Sequence, residues 1–161
     1  MLFRSSDNVG QTISDAASLI VSVKPAIVRQ PRDLTVVAGE DAFFDVVASG
    51  TAPFTYTWRK GSANAPGYVN FTNFPYYILT NAQASSAGIF SVKVKNLAPP
   101  EVTSSNAVLT VLADFDGDHM ADVWEVANGL STNNAADGLL DSDGDGMKNW
   151  EEFVAGTDFK D

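Results

Sequence analysis

Between residues 24 and 112, apolar and polar side chains alternate in short runs, interrupted at close intervals by Gly, Pro, Asn or Asp. Alternation of this kind marks half-buried strands, and regular punctuation by turn residues marks an all-β domain. Residues 27–30 and 34–37 straddle Pro31, which predicts a first strand split in two, because proline has no N–H to give to a ladder. After a turn at Gly39, Glu40 and Asp41, the residues Ala42, Phe44, Val46 and Ala48 share one face, with Phe43, Asp45 and Val47 on the other. That reads as one inward-facing strand. Residues 54–58 alternate again before a turn at Arg59, Lys60 and Gly61, and residues 76–80, 88–94 and 106–112 complete the set. Upstream, residues 17–23 alternate too. A shift of 90 positions lays Ser14, Ala17, Leu19 and Val21 on the identical Ser104, Ala107, Leu109 and Val111, about the spacing of one β-sandwich domain. Residues 1–23 therefore read as the closing hairpin of a preceding repeat, unless two unrelated hairpins coincide. On that reading the chain is a piece of a longer one, and Leu19, Val21 and Val23 have lost their partner sheet.

Gly39-Glu40, residues 46–50, Trp58, Leu79 and residues 87–92 resemble an immunoglobulin-like domain of the kind strung in bacterial surface proteins. The resemblance covers about residues 24–112 and implies a two-sheet sandwich. In that family two cysteines bridge the sheets over a tryptophan. The matching positions here are Val46 and Val92, with Trp58 at the expected spacing, and the sequence contains no cysteine. The resemblance thus implies apolar packing in place of a bridge, giving up roughly 2–4 kcal/mol of cross-link stabilisation. The corner tyrosine of the family is matched by Phe90, which has no hydroxyl to donate.

Past Leu112 the composition changes. Residues 1–112 hold 8 Lys+Arg and 7 Asp+Glu, whereas residues 113–161 hold 2 and 13, so the formal charge of −10 belongs to the tail. That balance argues against nucleic acid as a partner. The absence of cysteine excludes thiol nucleophiles and cysteine-type zinc sites. The one histidine, His119, sits within an acidic loop, where a catalytic triad is not sensible, so no enzyme is expected. No stretch is long and apolar enough to span a membrane.

The acidity is organised. Residues 141–152 match the calcium-loop pattern D-x-[DN]-x-[DN]-G-x5-E, with Asp141, Asp143, Asp145, the Met147 carbonyl, Asn149 and Glu152 at the six ligand positions and Gly146 at the sharp turn. Residues 114–125 repeat it with Asp114, Asp116, Asp118, the Met120 carbonyl, Asp122 and Glu125. Here His119 stands where glycine should be, a left-handed position that histidine tolerates at some cost, so weaker binding is expected. The alternative is a pair of acidic turns without metal, but so many carboxylates repel one another unless a cation sits among them. Two calcium ions are therefore expected. Cytosolic calcium is normally too low for weak loops, which suits an extracellular or cell-surface setting. Residues 1–4 show no apolar run behind them, so a secretion signal would belong to the longer parent chain.

Short helices are expected over about 122–128 and 149–155, each ending at a glycine, Gly129 and Gly156. With no helix before either loop, these are half EF-hands. Residues 114–158 resemble bacterial thrombospondin type 3-like calcium repeats and, less closely, dockerin modules. Val123, Trp124, Val126, Leu130, Leu139, Leu140, Met147, Trp150, Phe153 and Val154 would form a thin core, with Trp124 and Trp150 packed between the helices. The chain thus reads as a mainly β protein. Residues 24–112 form the immunoglobulin-like domain and residues 113–161 a small calcium module. Its expected work is that of a spacer stiffened by calcium, its partners being neighbouring domains of the parent chain. The other class is a binding module, either a dockerin-like tail for a protein or a sandwich that stacks on a glycan. Tyr68, Phe71, Phe74, Tyr76 and Tyr77 could form such a surface or simply fill the core edge, and Asn70-Phe71-Thr72 is a formal glycosylation sequon.

Overall fold

The longest of the described strands, Gly88–Lys95 (β10), sits at the middle of the larger sheet and buries Phe90, Val92 and Val94 completely. The computed structural model describes residues 4–7 and 10–13 as backbone strands and residues 21–66 and 74–160 in full. Arg4–Asp7 (β1) and Gly10–Ile13 (β2) pair as a hairpin. Residues 14–20, which include most of the expected strand at 17–23, lie outside the described residues, as do Tyr68, Phe71 and the sequon. Val21 and Val23 are exposed, and the Val23 backbone is tied to Thr51 and Asn96 by hydrogen bonds of 2.7–3.0 Å.

Ala26–Arg29 (β3) and Leu34–Val37 (β4) flank buried Pro31 and join different sheets, so the proline marks a switch between layers. The six-stranded sheet runs β4, Ala107–Leu112 (β12), β10, Thr55–Lys60 (β7) and Ala63–Asn64 (β8), with Val102–Thr103 (β11) also on β10. The β4/β12 pair is parallel and the others antiparallel. Opposite lie two short pairs, β3 with Val47–Ser49 (β6) and Ala42–Asp45 (β5) with Tyr76–Leu79 (β9).

Between these layers Trp58 is fully buried, its ring 6.1 and 6.3 Å from those of Phe44 and Tyr77, which in turn stack on Phe90 at 4.9 and 5.9 Å. Val46 and Val92 are buried beside it in the same cluster. The single strand expected over 42–48 is in fact two. β5 ends at Asp45, the Val46 amide donates to Pro75, and the chain shifts to pair Val47–Ser49 with β3. The inward alternation survives this change of partner, which is why side-chain pattern alone does not show it. The turn expected at Arg59 also comes later, because β7 continues through Lys60 to meet β8.

After β12 come two seven-residue helices, Asp122–Asn128 (α1) and Asn149–Ala155 (α2), each closed by a left-handed glycine, Gly129 and Gly156. The thin apolar core expected here forms only in part, with Trp124, Leu130, Met147, Trp150 and Phe153 half-buried. Val123, Val126, Leu139, Leu140 and Val154 are exposed, and the buried apolar residues among those described are Met120, Ala121 and Phe159. Trp124 meets Phe153 and Phe159 at 5.2 and 5.3 Å, while Trp150 faces a cleft lined also by Val36, Val37, Glu40 and His119. The inner positions of the short helices go to polar residues instead, Glu125, Asn149 and Glu152. Among the described residues, no helix is long and apolar enough to cross a membrane.

Candidate metal centre

The two acidic loops fold by one hydrogen-bond scheme, repeated 27 residues apart. Asp114 accepts from the amides of Gly117 and His119 at 2.7 and 3.1 Å, and Asp141 accepts from those of Gly144 and Gly146 at the same distances. Asp118 and Asp145 each take the following methionine amide at 2.8 Å. The ends of each loop are pinned alike, Asp122 N to Ala113 O at 2.9 Å and Asn149 N to Leu140 O at 2.8 Å. An aspartate at the first position thus curls the chain around itself, and the curl needs positive φ at the sixth position. Gly146 has φ 103° and His119 has φ 74°. His119 bears that strain and reaches out of the loop, its Nδ1 lying 2.7 Å from Glu40 Oε1 on the turn after β4.

Asp114, Asp116 and Asp118 bring carboxylate oxygens within 4.8 Å of one another, as do Asp141, Asp143 and Asp145. A third trio unites Asp118 and Glu125 with Asp137, and all three are buried. Asp122 stands apart, bracing the loop by accepting the Phe115 amide at 2.9 Å. Glu152 and Asn149 are buried beneath the second loop, and Met120 and Met147 occupy the seventh positions. Asp137 is the residue that sequence reading missed. It belongs to no loop pattern, and its only local sign is an acid within a turn-rich connector.

The described residues bury several side-chain polar atoms without a hydrogen-bond partner, and all but Trp58 Nε1 are oxygens of this region. They are both Asp116 and both Glu125 carboxylate oxygens, and one each from Asp118, Asp137, Asp143, Asn149 and Glu152. Such atoms are costly when left unpaired. The residues fit a hard cation, since the donor set is entirely oxygen, without thiolate or imidazole aimed inward.

Electrostatics point the same way. Burial, and then the charges of Asp118, Asp116 and Asp137, push the Glu125 carboxyl from 4.5 to about 7. Glu152 and Asp118 are also raised, burial being the first cause in each. Without a cation the folded tail therefore binds more protons than the unfolded one between about pH 4.5 and 7, and its stability falls as pH rises through that window. In chelator the tail should melt higher at about pH 5 than at about pH 7.5, and saturating calcium should reverse the order. Melts followed at both pH values check both signs.

Gly138 adds a steric constraint, because a Cβ there would lie 2.6 Å from Asp118 Oδ2. Gly138→Ala should weaken the first loop's cation affinity about tenfold or more, as the carboxylate is displaced from its geometry. Calorimetric titration against the unaltered protein measures it.

No protein-family model matches the sequence, and no curated protein matches it. Among solved structures the chain is similar to titin domain M7, with 27% identity and a TM-score of 0.50 over 57% of this chain and 97% of that one. It is similar also to a chain of a titin M10–obscurin-like 1 Ig mutant complex, with 26% identity and a TM-score of 0.50 over 58% and 97%. Extracellular domains 3–5 of Drosophila OTK match at 17% identity and a TM-score of 0.51, over 67% of this chain and 38% of that one. The two-layer sandwich described above is thus an immunoglobulin-like fold.

Proposed function

We propose that this chain is a non-catalytic structural module of a secreted or cell-surface protein. An immunoglobulin-like domain is followed over residues 113–161 by a thrombospondin type 3-like connector that binds two calcium ions. The observation that carries the reading is the set of buried carboxylate and amide oxygens without partners, gathered beneath two loops of one design. Asp114, Asp116, Asp118 and Glu125 would hold one ion and Asp141, Asp143, Asp145, Asn149 and Glu152 the other, with the Met120 and Met147 carbonyls and Asp122 completing the sets. Calcium would supply the charge that lets these groups be buried ionised, and so turns binding energy into folding energy. Calorimetry on the intact chain should find two calcium ions per molecule. A stoichiometry of zero would remove the connector and leave the sandwich alone.

One observation favours a second reading, recognition by the sandwich. Tyr77, one of the aromatics in question, belongs to the core, but Phe43, Phe74 and Tyr76 are exposed. Phe43 and Phe74 stand 5.7 and 5.2 Å from Tyr76, a short aromatic strip on the outer face of the β5/β9 sheet. Stacked rings of this kind suit sugar rings or an apolar partner. Binding on a glycan array that is lost in Tyr76→Ala would establish this reading, and silence would return the strip to packing.

A further inference from the structure

We infer that Asp137, which lies in neither loop, is a ligand of the first ion and the link through which the two ion sites are coupled. The inference rests on the calcium reading above. Asp137 is 7% exposed, and its Oδ1 has no hydrogen-bond partner. It shares a 4.8 Å grouping with Asp118 and with Glu125, whose two carboxylate oxygens are also buried and unpartnered. A buried carboxylate placed against two others needs either a proton on one of them or a cation between them, and only the cation serves when all three are ionised. The other atoms of Asp137 fix its aim. Oδ2 accepts the Ser131 amide at 2.9 Å, leaving Oδ1 to face the trio.

Its backbone carbonyl faces the second loop. It accepts Asn149 Nδ2 at 2.8 Å, and Asn149, fully buried, keeps its Oδ1 unpartnered at the ninth loop position. One residue thus presents its carboxylate to the first site and its carbonyl to a ligand of the second. The neighbouring backbone repeats the arrangement, since Gly138 packs against Asp118 and its carbonyl takes the Trp150 amide at 3.1 Å. Filling the first site fixes Asp137, which orients Asn149 before the second ion arrives. The sites bind with positive cooperativity by preorganisation.

The test is a calcium titration of the intact chain, followed by calorimetry and by the amide resonances of Gly117 and Gly144, which report the loops separately. Asp137→Asn preserves shape and an acceptor for Ser131 but removes the charge facing Glu125. It should weaken the Gly117 loop at least tenfold and abolish the coupling, while the Gly144 loop still binds. Asn149→Ala, which leaves the Asp137 carboxylate in place, should abolish the coupling and weaken only the Gly144 loop, and it serves if the first variant fails to fold. Wild-type cooperativity and affinity in both variants would overturn the role of Asp137 while leaving calcium binding intact. No binding by the wild-type chain would overturn both.

Discussion

Removing calcium is expected to unfold residues 113–160 while the sandwich stays folded. The buried apolar residues of the tail are too few to hold it, Met120, Ala121 and Phe159 among those described, whereas its interior contains Asp118, Glu125, Asp137, Asn149 and Glu152. Without cations, burying these groups costs desolvation and mutual repulsion, and protonation near neutral pH relieves only part of it. Each ion present at about a hundredfold excess over its Kd contributes ~2.7 kcal/mol, so two decide between folded and unfolded for a module this small. Limited proteolysis in chelator should cut after Leu112 and spare the sandwich, and excess calcium should protect the whole. A tail that resists protease equally in both conditions refutes the expectation. Glu125→Gln in calcium should reproduce much of the chelated state, because it removes the charged residue that closes the first loop.

Within the sandwich the largest effect is expected at Trp58. Its ring is fully buried against Phe44 and Tyr77, in a core that includes Val46 and Val92 and holds no disulfide. Trp58→Ala leaves a cavity too large for these aromatics to fill and should cost about 3–5 kcal/mol. Set against the ~5–15 kcal/mol of a typical domain, and with no cross-link restraining the unfolded chain, much of the stability disappears. Trp58→Phe should cost clearly less. It keeps an aromatic ring and deletes Nε1, a buried donor without a partner. Urea midpoints by far-ultraviolet circular dichroism, taken in saturating calcium, rank the variants. Equal losses for both would mean that filling the space with another ring does not help and that the indole itself is required.

Strands and loops were legible to different degrees. The faces of β5, β7 and β10 follow from alternation, because burying one side of a pleated strand requires a period of two. The change of partner at Val46 was not legible, since Phe44, Val46 and Ala48 point inward whichever strand lies alongside. The two acidic loops were readable as spacing, because a twelve-residue curl built on regularly placed aspartates is a local device. Asp137 was not, since it reaches Asp118 and Glu125 from a connector whose path depends on tertiary packing. Leu139, Leu140, Val123 and Val154 misled for the opposite reason. Apolar residues near short helices suggest an apolar core, whereas the inside of this module went to charged groups.

The passage from sheet to loop has a consequence for how load is carried. Leu112 is still paired with Val37 in the parallel ladder and accepts the Ala38 amide at 2.9 Å. Ala113 then accepts from Asp122, and Asp114 opens the first loop. There is no free chain to act as a swivel. Twist or pull applied to the loops passes straight into the β4/β12 pair, with the exposed His119–Glu40 contact lying beside that joint. Such a junction behaves as a welded corner, and a few flexible residues inserted at position 113 would convert it to a hinge without touching either acidic loop.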